Sequence, residues 1–181
     1  MTELCQPLGT ASASLKKPPT GGGSGIKQRV GVKLQTGSGF VGNTYSSAKV
    51  WLKKETGSPD LNLNVSIYHD GTTLPIHTFQ TISTSTITDG FLEYTLTGGG
   101  DYTIVANDIL AVNWESESYI LYTYEYGSSV TGLPQMRYNE WDQSTPSWTT
   151  NSQSFRFCLS SGAAPSTGTR LPPPPIVLGG L

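Results

Sequence analysis

The stretch Leu61-Asn62-Leu63-Asn64-Val65-Ser66-Ile67-Tyr68-His69 decides the fold, because apolar and polar residues alternate along it as far as Ile67. Successive side chains of a strand point to opposite faces, so the leucine, valine and isoleucine residues would share one face and the polar residues the other. Turn residues bracket the stretch, with Thr56 to Asp60 before it and Asp70-Gly71 after it. The pattern predicts a β-strand with one buried face.

The same period-two alternation extends over the middle of the chain. It is clear within 26–35 (Ile26, Val30, Val32, Leu34) and within 46–55 (Ala48, Val50, Leu52). No segment has a convincing helical period. Further strands are predicted at 73–83, 90–97, 101–106, 109–116, 118–126, 134–140 and 153–159. Many short strands at a spacing of roughly 8–12 residues predict an all-β fold, an antiparallel two-sheet β-sandwich of jelly-roll type.

Both ends differ in composition from this middle. Residues 1–25 and 161–181 are rich in Gly, Pro and small residues, and such segments bury too little apolar surface to offset the entropy of ordering them. We expect an extended N-terminal arm at 1–25, a jelly-roll domain at 26–160 and a Pro/Gly-rich C-terminal arm at 161–181. An apolar tip behind a polyproline II spacer would suit a docking hook, although a tail without a partner is the alternative. The residues expected to dock are Leu4, Leu8, Leu15, Pro172, Pro173, Pro174, Pro175, Ile176, Val177, Leu178 and Leu181.

Composition excludes several classes of protein. The chain has 11 basic and 13 acidic residues and a formal net charge of −2, so it lacks the basic face that a nucleic-acid-binding protein needs. No window approaches the ~20 apolar residues of a membrane helix, and we expect no membrane insertion. The first residues carry Glu3 and no apolar run, so we expect synthesis in the cytoplasm without a signal peptide.

Two stretches carry a resemblance to known proteins. The first is SSAKVWLKKETGSP (46–59) followed by LNVSIY (63–68), and the second is YTIVANDILAVNW (102–114). Together they resemble non-catalytic jelly-roll modules, similar to carbohydrate-binding modules, of microbial surface and virion proteins. The resemblance implies the sandwich fold, and it says little about activity because such sandwiches host many functions.

Residues that could do chemistry are few. Glu115 and Glu117 could form a carboxylate pair, but a solvated strand edge explains them as well. His69 and His77 are expected on the surface, and no nucleophile-elbow pattern occurs, so we expect no enzyme. The Cys and His residues lack the spacing of a zinc site, and we expect no metal or cofactor. The one alternative is structural calcium at the turn residues Asp60, Asp70, Asp89, Asp101 and Asp108.

Aromatic residues give a stronger signal. Several are concentrated late in the chain, and they could form a sugar-stacking platform, form a protein interface, or fill the core. Trp141 and Trp148 lie in the polar, loop-like stretch NEWDQSTPSWTTNSQ (139–153), where exposure is expected. The candidate surface or glycan contacts are Tyr122, Tyr124, Tyr126, Tyr138, Trp141 and Trp148.

The two cysteines lie near opposite ends of the chain. Cys158 alternates with Phe155 and Phe157 and is expected as a buried or edge thiol. A link from Cys5 to Cys158, within one chain or between two chains, would fasten the N-terminal arm to the last strand. Synthesis in the cytoplasm argues against that link.

These observations favour a non-catalytic structural assembly protein. We expect a virion component of a virus or phage, such as a minor capsid, decoration or fibre-type protein, whose arms dock on neighbouring subunits of a homo-oligomer. The alternative is a carbohydrate-binding or adhesion module that presents an aromatic face to a host glycan.

Overall fold

A computed structural model describes residues 2–6, 13–14, 28–54, 62–70, 72–90, 92–114, 122–128, 133, 135–139, 147–151 and 153–162 of the chain. These ranges consist of β-strands and connecting turns, with one short 3-10 helix at Thr84–Thr86. The prediction of an all-β fold is therefore confirmed. Within the same ranges, no helix is long and apolar enough to cross a membrane.

The strands form antiparallel sheets, and every pairing within the described ranges is antiparallel. In chain order they are β1 (Glu3–Gln6), β2 (Ala13–Ser14), β3 (Gln28–Leu34), β4 (Thr44–Tyr45), β5 (Ser47–Lys54), β6 (Asn62–Tyr68), β7 (His77–Ser83), β8 (Leu92–Leu96), β9 (Tyr102–Thr103), β10 (Asp108–Trp114), β11 (Tyr122–Ser128), β12 (Gln135–Asn139), β13 (Ser147–Asn151), β14 (Gln153–Phe155) and β15 (Phe157–Ser160).

Two large sheets and a small one result from these pairings. The first sheet has the order β1-β15-β5-β11-β14, with β8 also paired to β5 and β2 to β11. The second has the order β13-β12-β3-β10-β6-β7, and β4 pairs with β9 alone. Val50 of β5 pairs with both β15 and β8, and Leu52 pairs with both β11 and β8. Because a strand has two edges, β8 lies along one edge of β5, and β15 and β11 lie one after the other along the opposite edge.

A single large core lies between the two sheets. The second sheet supplies Leu63, Val65 and Ile67 of β6, and the first supplies Val50 and Leu52 of β5, all with no exposed surface. These are the residues that alternation assigned to the buried faces, so one face of each sheet packs on the other in a sandwich-like arrangement.

The outer face of the second sheet is also covered, which the alternation of β6 did not predict. Ser66 and Tyr68 face away from the main core, yet both are fully buried. Ser66 shares a 2.9 Å hydrogen bond with Thr78 of β7. Tyr68 packs with Ile109 and Ala111 of β10 in a second, smaller apolar cluster. Alternation therefore identified the core face correctly but could not show that the other face would be covered as well.

A glycine permits close packing in the second sheet. Gly31 of β3 lies opposite Ala111 of β10. A Cβ atom on Gly31 would lie 2.6 Å from Ile109 Cγ2 and 2.7 Å from the Leu110 carbonyl oxygen. Both distances are shorter than a carbon atom tolerates, so this position requires glycine for steric reasons.

Candidate assembly site

The N-terminal strand β1 forms the end of the first sheet by pairing with β15. The register places Glu3 opposite Ser160, Leu4 opposite Leu159, and Cys5 opposite Cys158. Cys5 and Cys158 are joined by a disulfide across 153 positions of sequence. The structure thus selects the link that cytosolic synthesis argued against, and it forms that link within one chain. Cys5 is exposed, whereas Cys158 is 3% exposed.

One face of β1 belongs to the core. Leu4 is half-buried and packs against the main core cluster, directly opposite the fully buried Leu159. Leu4 also lies close to Gly39 in the turn after β3. Burying an aliphatic side chain in this way contributes on the order of 1.5–3 kcal/mol when burial is complete. Strand β1 is therefore held by the apolar packing of Leu4 in addition to the covalent bond.

The other face of β1 carries a charged cluster. The Glu3 carboxylate accepts a hydrogen bond from Ser160 Oγ at 3.0 Å and lies 2.8 Å from Lys49 Nζ of β5. Lys49 also lies 3.4 Å from Glu93 of β8, so one ammonium group joins strands on both sides of it. Hydrogen bonds from Lys49 and Ser160 lower the pKa of Glu3, and the carboxylate of Glu3 raises the pKa of Lys49. These side chains are exposed enough for salt to screen them, so they favour the register of β1 more than its stability.

The pairing continues beyond the ends of both strands. The Ser161 backbone N–H donates to the Thr2 carbonyl at 3.0 Å, and the Thr2 N–H donates to Ser161 Oγ at 3.0 Å. Because the pairing is antiparallel, the predicted N-terminal arm leaves beside Phe157 and the predicted C-terminal arm leaves beside Thr2. Within the described ranges no strand pairs with the outer edge of β1. The two predicted arms therefore continue from opposite ends of the described β1–β15 pair.

A tryptophan and an arginine that the sequence analysis did not single out lie near this cluster. Arg156, between β14 and β15, places its guanidinium carbon 3.9 Å from the ring centroid of Trp51. Trp51 occupies an outward position of β5, two residues after Lys49. The contact is a cation–π interaction. Alternation along β5 could have placed Trp51 on the outer face, but no sequence signal identified its partner.

The cysteine pair does not form a metal site in this state. Ligand atoms of Glu3, Cys5 and Cys158 all lie within 4.8 Å of one another, and they form the only such cluster of three among the described residues. Metal binding by cysteine requires thiolates, and both sulfur atoms are bonded to each other. The chemistry available here is thiol–disulfide exchange, and the exposed Cys5 allows a small thiol to approach.

A second polar cluster lies at one end of the sandwich-like fold, around the fully buried Asp108. Its carboxylate accepts hydrogen bonds from the Tyr102 hydroxyl at 3.0 Å and the Val105 backbone N–H at 2.8 Å, and it lies 3.1 Å from His69 Nδ1. Burial and the hydrogen bond to Asp108 raise the pKa of Tyr102 to about 12. The cluster fastens the turn 104–107 to Asp108, the first residue of β10. Asn107, which has a positive φ, belongs to that turn.

This arrangement bears on the calcium alternative. Asp108 is occupied by the contacts of the turn, and Asp70 pairs with Lys33 at 2.6 Å. Asp89 and Asp101 are exposed, and Asp60 lies outside the described residues. Among the described residues, the aspartates proposed as ligands do not come together as a group of three.

The two histidines differ in their surroundings. His69 is exposed, as the sequence predicts, whereas His77 is half-buried. The ring of His77 stacks on Tyr102 with 5.1 Å between centroids and meets the edge of Phe79 at 4.8 Å. Burial lowers the pKa of His77. The expectation of a surface residue is therefore incorrect for His77, because β7 turns this face toward the aromatic side chains.

Several apolar side chains are exposed in the turns at this end. Leu74 is 74% exposed and Ile76 is 47% exposed, both between β6 and β7, and Val105 is 52% exposed between β9 and β10. Scattered exposed aliphatic residues are normal, but three in the two turns that meet at Asp108 offer apolar contact to another surface.

Most of the predicted docking residues lie outside the described ranges. Of that set, Leu4 alone is described, and it packs on the core of its own chain. Trp141 also lies outside them. For Tyr122, Tyr124 and Tyr126 of β11 and Tyr138 of β12, the structure describes the backbone, which places the three β11 tyrosines on one face of the strand.

The structure corrects the expectation for Trp148. The polar stretch around it forms β13 instead of a loop, and β13 pairs with β12. The Trp148 ring is half-buried and lies 5.5 Å from the Tyr68 ring, and its indole N–H donates to the Thr72 carbonyl at 3.2 Å. Trp148 therefore helps to cover the outer face of the second sheet, a role that polar neighbours in the sequence conceal.

Comparison with known proteins found no matching family model, no similar curated protein and no similar solved structure.

Proposed function

We propose that this chain is a non-catalytic structural assembly protein, most concretely a virion component of a virus or phage that forms a homo-oligomer. The observation that carries the proposal is the β1–β15 edge. Strand β1 is fastened there to β15 by backbone pairing, by the Cys5–Cys158 disulfide and by the Thr2–Ser161 hydrogen bonds, and the two low-complexity segments continue from the two ends of this pair. Such an anchored edge suits a subunit that joins others through its ends.

The order of strands supports a jelly-roll fold for this subunit. The series β3-β10-β6-β7 belongs to one sheet and the series β2-β11-β5-β8 to the other. From β2 to β11 the chain changes sheet at each step between these strands, except in the β6–β7 hairpin. This alternation fits an eight-stranded double-sheet jelly roll, an architecture common in viral capsid domains. Because jelly rolls host many functions, this fold is compatible with a virion protein but does not by itself indicate one.

The mechanism proposed for the C-terminal arm is non-covalent docking on a neighbouring subunit. Segments rich in Pro and Gly order when they bind, so they can wrap a neighbouring subunit at a modest cost in affinity. The apolar tip Ile176-Val177-Leu178 follows four prolines and supplies the side chains that a neighbour would bury. The described surface also exposes the apolar side chains of Leu74, Ile76 and Val105, which a neighbour could cover.

The test is the solution mass of the full-length chain, measured by light scattering over a range of protein concentrations. A matched variant replaces the apolar tip by serine (Ile176→Ser, Val177→Ser, Leu178→Ser, Leu181→Ser) and keeps the length of the arm. A control variant carries Ala163→Ser and Ala164→Ser, which change the same arm without removing a large apolar side chain. We expect a defined oligomer for the wild type and the control, and a smaller species for the tip variant.

Two results would contradict the proposal. A wild-type chain that stays monomeric at the highest concentration does not assemble by itself, and the homo-oligomer would have to be abandoned. An oligomer that the tip variant keeps unchanged would remove the C-terminal arm from the mechanism. Binding of the monomer to a glycan array, lost on Trp141→Ala, would instead support the alternative of a carbohydrate-binding module.

A further inference from the structure

We infer that the edge of β15 is a strand-exchange site that accepts β1 of a second copy of this chain, with Cys5 of one copy bonded to Cys158 of the other. The inference rests on the proposed assembly function and deepens it, because it names the partner and a chemical control of the contact. Its elements are the β1–β15 register, the position of the disulfide and the composition of the connecting segment.

The contacts of β1 with β15, with Lys49 and with the core can be made equally well by a second copy. Within the described residues, β1 pairs with β15 alone, and its charged contact is with Lys49 of the neighbouring strand β5. Leu4 packs on the core cluster to which Leu159 belongs. An identical chain presents the same partners in the same register, so exchange replaces each contact by its equivalent. Exchange of an identical element is a low-cost route to a dimer.

The connecting segment is long enough to reach a neighbour. Residues 15–27, LKKPPTGGGSGIK, lie between β2 and β3 and contain two prolines and four glycines. When fully extended these thirteen residues would span at most about 43–47 Å, since each residue contributes up to about 3.3–3.6 Å. Strand β2 would move together with β1, because six residues, 7–12, separate the two strands. The exchanged unit is therefore residues 1–14, with 15–27 as its hinge.

Concentration decides between the closed and the exchanged form. Because β1 belongs to the same chain as its own β15, it meets that strand at an effective concentration on the order of millimolar. In dilute solution the chain closes on itself, as in this structure. In an assembly, where neighbouring subunits are fixed side by side, the local concentration of a second β1 reaches a similar value, and exchange becomes competitive.

The disulfide makes the outcome persistent and places it under redox control. A low-molecular-weight thiol, as its thiolate, attacks one sulfur atom of the Cys5–Cys158 bond and releases the other cysteine as a thiolate. A second thiolate then attacks the external sulfur of the mixed disulfide, leaving two protein thiols and one oxidised thiol dimer. After the strands exchange, the same oxidised dimer reverses both steps and joins Cys5 of one copy to Cys158 of its partner. The chain has no third cysteine that could divert this bond.

The experiment mixes two full-length variants. Cys5→Ser retains only Cys158, and Cys158→Ser retains only Cys5, so a Cys5–Cys158 bond in the mixture must join two chains. One variant carries a heavy-nitrogen label, and the mixture is incubated in reduced and oxidised glutathione. We expect a disulfide-linked heterodimer on a non-reducing gel, several-fold above the homodimers that either variant forms alone. Peptide mass spectrometry should find the labelled and unlabelled cysteines joined, and the yield should rise with protein concentration.

A third variant separates strand pairing from random contact of thiols. Leu4→Asp, added to Cys158→Ser, leaves Cys5 in place but puts a charge where the side chain meets the core. We expect this change to suppress the heterodimer. A heterodimer that forms equally well with Leu4→Asp, or a mixture with no more linked dimer than the separate variants, overturns strand exchange.

The outcomes keep the two proposals apart. Light scattering of the oxidised wild type and its tip variant tests assembly through the C-terminal arm, whereas the mixed disulfide tests exchange of β1. An oligomer that depends on the C-terminal tip, together with no heterodimer, leaves the assembly function in place and removes the exchange. A heterodimer with no oligomer of the oxidised wild type removes assembly through the C-terminal arm and leaves β15 as an exchange site.

Discussion

Reducing the Cys5–Cys158 bond should lower the free energy of unfolding substantially. The bond closes a loop over 153 positions of sequence, so it restricts almost the whole unfolded chain. Loop-closure entropy for a loop of this length corresponds to about 5 kcal/mol at 25 °C, and measured effects of disulfides are commonly ~2–4 kcal/mol. We expect a loss of about 2–5 kcal/mol, together with a larger dependence of stability on denaturant, because the reduced unfolded chain exposes more surface.

The assay is urea unfolding followed by tryptophan fluorescence, with and without a phosphine reductant. The double variant Cys5→Ala/Cys158→Ala should match the reduced wild type, apart from the packing that the buried Cys158 loses, and it should not respond to the reductant. Mass spectrometry must show two free thiols in the reduced sample. A loss of unfolding free energy below about 0.5 kcal/mol under those conditions would refute the reasoning, because a disulfide across 153 positions must restrict the unfolded chain.

Three further predictions concern packing and ionisation. Gly31→Ala should cost about 1–3 kcal/mol in thermal unfolding, because its methyl group meets strand β10, whereas Gly90→Ala, which has open space, should stay within about 0.5 kcal/mol. In an ultraviolet titration, Tyr102 should ionise at a pH of about 12, and Tyr102→Phe should remove that step. Because the pKa of Tyr102 is raised in the folded state, its contribution to stability should be lost as the pH rises from about 10 through 12. Because the pKa of Glu3 is lowered in the folded state, the contribution of Glu3 to stability is present above the ordinary value of 4.5 and is lost as the pH falls below it. The difference in unfolding free energy between wild type and Glu3→Gln should therefore shrink in acid, and it should also shrink with added salt. A difference that stays constant down to pH 3 would contradict the contact with Lys49.

Alternation along the sequence identified the strands that carry the core. The predicted strand at 61–69 is β6, and those at 26–35, 46–55 and 109–116 correspond to β3, β5 and β10. In each of these strands the apolar residues repeat with period two, and this repeat can be read from a few neighbouring residues. Most of the strands that pair with them lie far away in the sequence, so these pairings could not be read in the same way. The strands that the sequence missed have no such period. Glu3–Gln6 has only four residues and Ser147–Asn151 is mostly polar, and both are strands because a neighbour pairs with them.

The candidate site was accessible to sequence reasoning only in part. Cys5 and Cys158 were recognised as a possible link, and Leu4 as a residue with an apolar docking role. Nothing in the sequence placed Cys5 opposite Cys158, because register depends on which strand forms the edge of the sheet. Likewise, the position of Asp108 at a turn was foreseeable, whereas its contacts with Tyr102 and His69 require two turns to meet. The prediction for Trp148 was wrong. Its polar neighbours in the sequence suggested that the side chain is exposed, whereas the tertiary fold leaves it half-buried.

The sequence by itself determined that this chain is built of β-strands, which of their faces form the core and where its composition changes. Those properties follow from period-two alternation, turn residues and local composition, all of which act over a few residues. Only the tertiary structure decided which strands are neighbours, that the first and last described strands pair at the end of a sheet and are joined by a disulfide, and that Asp108 is the centre of a polar cluster. Each of these brings together residues distant in the chain, and such contacts depend on the packing of the whole fold.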